Sequence, residues 1–70
     1  MKEGILVYDE RQGRVDIRFG LEEYYGGLHC GECFDILVDG EWKSTRIEKD
    51  SEWFLVGFSE ISLLGLRARI

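Results

Sequence analysis

From Arg14 to Phe19 the chain alternates without a break, so an extended backbone sets Val15, Ile17 and Phe19 on one face and Arg14, Asp16 and Arg18 on the other. Upstream, Gly4 to Asp9 is a mainly apolar run that reads as a partner strand, with Glu10-Arg11-Gln12-Gly13 as the hairpin loop between them. Downstream, Cys33 to Val38 puts Phe34, Ile36 and Val38 on one face and ends at Asp39-Gly40, a pair that accepts the positive φ a type I′ turn needs at both central residues. In the strand that follows, Trp42 and Ile47 differ in parity. Both point inward only if a bulge or bend falls between Lys43 and Arg46. Lys49-Asp50-Ser51 is the next turn, and Trp53 to Phe58 is apolar on both faces, as in a central strand. Ser59 to Gly65 reads as an N-cap, one helical turn and a glycine stop. Leu66, Ala68 and Ile70 then alternate with Arg67 and Arg69 in a last strand.

This succession predicts an all-β chain: a small, partly open SH3-like barrel of five or six short antiparallel strands, with one 3-10 turn before the last. Val15, Ile17, Phe34, Ile36, Leu55, Val56 and Ile70 are the expected core. Arg14, Arg18, Tyr25, Arg67 and Arg69 are expected outside. Seventy residues make one domain, 1–70, with a single core and a narrow stability margin. The 13% aromatic content helps to fill that core from few positions. There is no proline, so strand edges rely on charge and closure for protection.

Leu28 to Trp42, Thr45 to Glu48, Trp53 to Gly57 and Leu64 to Ile70 together resemble a family of short uncharacterised bacterial proteins, classed as a domain of unknown function and often found near mobile elements. The likeness runs over nearly the whole chain. It implies the small barrel and supplies no activity.

Charge narrows the partners. Fourteen acidic against nine basic side chains give a net charge of -5, which opposes non-specific attraction to nucleic acid and to anionic membranes. No apolar run approaches a membrane span, and the Ile5-Leu6-Val7-Tyr8 stretch is too short for a signal-peptide core, so the chain reads as cytoplasmic and complete.

Three constellations carry chemistry. His29-Cys30-Gly31-Glu32-Cys33 offers soft and borderline ligands for Zn²⁺, yet a closed site needs four and only three sit together. The expectation is therefore no metal and no cofactor, with Cys33 or Cys30 as an ordinary small core residue and His29, Cys30 and Cys33 the candidates should a metal bind. Redox work is weaker still, because a strand and not a helix follows the pair. Glu22-Glu23-Tyr24-Tyr25, with His29, lies in the glycine-punctuated segment from Gly20 to Gly31 and suits a protein partner with a basic or peptidic surface. As an acid/base pair the adjacent glutamates are poor, since nothing desolvates them and no nucleophile accompanies them. Arg14, Arg18, Arg67 and Arg69 form a basic stripe for nucleic acid if the second and last strands are neighbours. The leading expectation is a non-enzymatic protein-interaction module, monomeric or weakly dimeric, without membrane association. A nucleic-acid-associated accessory barrel and an acidic inhibitor of a host nuclease or defence protein stand behind it.

Overall fold

In the computed structural model, which describes residues 1–70, the alternating run becomes strand β2 (Arg14–Arg18), paired antiparallel with β1 (Glu3–Asp9). Asp9 organises the loop between them. Its Oδ1 accepts the Arg11 N–H at 2.9 Å and its carbonyl accepts that of Gly13 at 2.8 Å. Next come β3 (Cys33–Val38) and β4 (Glu41–Lys49), in register from Cys33 opposite Arg46 to Val38 opposite Glu41. Asp39 and Gly40 join them with φ of 51° and 78°, the two positive values of a type I′ turn. A methyl group on Gly40 would meet nothing within 4 Å, so Gly40→Ala carries a purely conformational penalty. We expect it to cost about 1 kcal/mol in urea unfolding. No measurable loss would contradict the strained turn.

The β3–β4 register has no bulge. The parity conflict is resolved by turning Trp42 outward, opposite Leu37, while Thr45 and Ile47 face the core. Arg69 covers the half-buried indole, its guanidinium carbon 4.4 Å from the ring centroid.

With β5 (Trp53–Leu55) and β6 (Arg67–Arg69), the six antiparallel strands form one open sheet in the order β2-β1-β6-β3-β4-β5. The C-terminal strand is inserted between the two hairpins, Ala68 lying beside Gly4 on β1 and Ile36 on β3. Val15 and Ile17 of β2 share one apolar cluster with Leu55 of β5, from the opposite end of the sheet, so the sheet curls around its core. Every strand supplies that cluster, through Leu6, Phe34, Ile36, Ile47 and Ala68, and Leu28 joins from outside the strands.

Several expectations need correction. β5 is three residues long and lies at the sheet's end, because Gly57 at φ 86° turns the chain away; Val56 is 37% exposed and outside the core. Ile70 is half-buried against the core, its backbone paired with Lys2. From Ser59 to Gly65 there is no helical turn but separate bends, closed by Ile61 N–H on the Phe58 carbonyl and Leu66 N–H on that of Leu63, both at 3.2 Å.

Candidate functional site

Strand alternation places Asp16 on the outer face of β2, yet it is 2% exposed, and the glycines downstream are the reason. Gly26 and Gly27, at φ 114° and 101°, fold over the strand, and their N–H groups donate to Asp16 Oδ1 at 3.0 and 2.8 Å. The Ile17 N–H adds a third bond at 2.8 Å, so the buried carboxylate is held by backbone donors alone. At Gly26 only the backbone angle calls for glycine, since a Cβ there would meet nothing within 4 Å; on Gly27 a Cβ would also lie 2.7 Å from Gln12 Oε1 and 2.8 Å from Arg14 Cδ, so those side chains would have to move. The backbone follows β2 like an irregular extra strand. Tyr25 N–H donates to the Ile17 carbonyl at 2.9 Å, Leu28 N–H to that of Val15 at 2.8 Å, and Tyr24 bridges to Arg18.

Arginines pin the rest of the segment. Arg18 donates through Nε to the Gly20 carbonyl at 2.9 Å and through Nη2 to that of Leu21 at 3.0 Å, and Arg14 Nη1 reaches the Leu28 carbonyl at 2.9 Å. The tip closes with the Phe19 N–H on the Glu23 carbonyl at 2.7 Å. A clamped backbone therefore presents Leu21, 86% exposed, together with Tyr24 at 50% and Tyr25 at 40%. Glu22 is exposed beside them, and Glu23 pairs with Lys2. Leu21 carried no signal in the sequence, since a lone leucine among glutamates reads as noise. Tyr8, at the end of β1, opens toward the same side and lines a cleft of about 700 Å³ with Tyr24, Gly26 and Arg18.

At the far end, Glu32 gathers Tyr25 and His29. Its Oε2 accepts the Tyr25 hydroxyl and its Oε1 accepts the His29 backbone N–H at 2.8 Å, with His29 Nδ1 3.4 Å from the same Oε1. Burial opposes ionisation of Glu32, but the bonds from Tyr25 and His29 and the histidine's charge outweigh it and hold the carboxyl below the ordinary 4.5. The same bond to Glu32, with burial and the carboxylate's charge, raises the Tyr25 phenol above 10.0. A lowered carboxyl stabilises the fold above its unfolded pKa and loses that contribution as pH falls through the folded value. The raised phenol contributes below pH 10.0, lost as pH rises through its folded pKa. In an NMR titration Tyr25 is expected to ionise above 10.0, and Glu32→Gln to bring it back down. An unchanged Tyr25 titration in Glu32→Gln would contradict the bond.

The remaining candidates separate. Cys30 and Cys33 are free and exposed, so neither is the core residue expected of one of them, because Cys30 occupies the turn closed by Glu32 N–H on the His29 carbonyl and Cys33 faces out of β3. The arginine stripe is divided, since β1 lies between β2 and β6 and Ile5 sits between Arg18 and Arg67. Arg14, Arg18 and Arg69 are half-buried instead of exposed, the first two bonded to loop carbonyls and Arg69 Nε to Asp35 Oδ2 at 2.9 Å. Arg67 alone stays exposed as expected.

The family model described as a domain of unknown function (DUF5348) matches residues 4–70. A crystal structure of a protein from Ruminococcus gnavus is 56% identical and superimposes with a TM-score of 0.90, over 97% of this chain and 99% of that one. No curated protein matches.

Proposed function

The chain belongs to the DUF5348 family, a domain of unknown function, and we propose that it is a non-enzymatic interaction module whose contact surface is the Gly20–Gly31 segment. One observation carries this reading: Leu21, Tyr24 and Tyr25 are solvent-exposed on a backbone that Asp16, Arg14 and Arg18 already hold in place. A surface ordered in advance loses little conformational entropy on docking, and tyrosine adds contact area at low entropic cost. Glu22 and Glu23 rim the patch and select a partner that is apolar at its centre and basic around it. The same acidity keeps an inhibitor of a basic nuclease or defence protein within this reading, whereas three arginines spent on internal bonds disfavour the nucleic-acid alternative. No helix is long and apolar enough to cross a membrane, in keeping with a cytoplasmic place of work.

The test is affinity capture from the cell of origin with the native protein, the double variant Leu21→Asp/Tyr24→Ala and the off-surface control Val56→Asp. We expect a protein held by the native and control forms and lost by the double variant, whose circular dichroism is unchanged. Capture of the same set by all three would overturn the reading. Retention of nucleic acid instead, weakening steeply with salt, would move the assignment to the accessory-barrel alternative.

A further inference from the structure

The turn from His29 to Cys33 is fastened at every point except its two thiols. Glu32 N–H donates to the His29 carbonyl at 3.0 Å and the Glu32 carboxylate takes the His29 N–H at 2.8 Å. Gly31 N–H reaches across to the Ile47 carbonyl at 2.8 Å, the Ile47 N–H returns to the Glu32 carbonyl at 3.1 Å, and the Tyr25 hydroxyl holds Glu32 from outside. Gly31 sits at φ 91° with nothing within 4 Å of where a Cβ would be, so the tip is open to solvent. Cys30 and Cys33 project from this braced turn, exposed and unbridged; the Cys33 thiol donates only a long bond to the Gly31 carbonyl at 3.8 Å.

Two thiols three residues apart on a tight turn are a chelating pair for a thiophilic divalent ion such as Zn²⁺. One chain cannot complete the coordination. No three His, Cys, Asp or Glu side chains converge anywhere in the molecule, and His29 Nδ1 is directed at Glu32. We infer that Cys30 and Cys33 are half of a four-thiolate metal site that a second copy of this chain completes. Zn²⁺ bound by four thiols gives a centre of charge −2 and releases four protons. Arg46 lies directly across the β3–β4 ladder from Cys33 and is exposed, so each copy brings a cation beside that negative centre, although the guanidinium also pairs with Glu48 at 2.9 Å. The expectation of no metal rested on the missing fourth ligand, which a second chain would supply, and on a cysteine being buried in the core, which the structure does not show.

Co²⁺ titration of the reduced chain, followed by absorption and light scattering, decides it. The expected result is a thiolate-to-cobalt charge-transfer band with intense visible d–d bands, saturating at one ion per two chains. Molar mass doubles at the same point, and Zn²⁺ bleaches the spectrum. Cys30→Ser and Cys33→Ser each abolish both signals with circular dichroism unchanged, since both side chains lie outside the core. His29→Ala leaves them in place. Absence of the bands, saturation at one ion per monomer, or loss of the spectrum in His29→Ala would each overturn the inference. The variant Leu21→Asp/Tyr24→Ala should bind cobalt normally, which separates failure of this site from failure of the contact surface.

Discussion

Replacing Gly4 by alanine is expected to remove a large share of the domain's stability. Gly4 lies on β1 where β2 crosses closest: a methyl group there would run into the Arg18 carbonyl oxygen and stand 2.9 Å from both the Arg18 carbonyl carbon and Ile17 Cγ2. The backbone at Gly4 is ordinary strand, so the requirement is for room, unlike that at Gly40. Overpacking of side chains costs about 1–3 kcal/mol because rotamers can give way; here part of the obstacle is backbone, and β1 has to part from β2. A domain of this size has roughly 4–10 kcal/mol in all. A loss of about 3 kcal/mol or more is therefore expected in urea unfolding, several times that of Gly40→Ala. If the two alanines cost the same, the strands separate more easily than their spacing implies.

Asp16→Ala is expected to be comparably severe. It strips the acceptor from the buried N–H groups of Ile17 and Gly27 and from that of the more exposed Gly26, and a buried donor left without a partner costs about 1–3 kcal/mol. The loss should reach ~4 kcal/mol, with the amides of Gly26 and Gly27 becoming the fastest-exchanging of the segment. Asp16→Asn keeps an oxygen in place of Oδ1 and gives up only the charge, so about 1–2 kcal/mol is expected. Equal losses for the two variants would mean that the charge, not the acceptor, holds the glycines.

Asp16 also shows why local pattern reading stops where it does. Period two in Arg14 to Phe19 placed the strand and assigned Val15 and Ile17 inward, as found, because both follow from backbone geometry within the strand. Its outward set depended on what lay above it, and that was settled by Gly26 and Gly27, ten and eleven residues on. Asp39-Gly40 was legible because a two-residue turn fixes its own dihedral angles. Trp42 was half legible: its parity conflict with Ile47 was visible, but the choice between a bulge and an outward indole waited on Arg69, a residue from another strand. Apolar run length misplaced β5 in the centre, where Gly57 instead ends it at the edge. Of the candidate surface, Tyr24 and Tyr25 stood out by type. Leu21 did not, since only the bonds from Arg18 make a loop leucine a presented one.

The position of β6 between the two hairpins has a kinetic consequence. The β1–β2 pair and the β3–β4–β5 meander each join near neighbours along the chain, so either can form early and dissolve again. They become one sheet only when residues 67–69 pair with Glu3 to Ile5 on one side and Asp35 and Ile36 on the other. The first of these closures spans almost the entire polypeptide and is met only after its loop entropy has been lost. Refolding should accordingly run at the millisecond-to-second pace of non-local β topologies, with the last strand docking as the rate-limiting event.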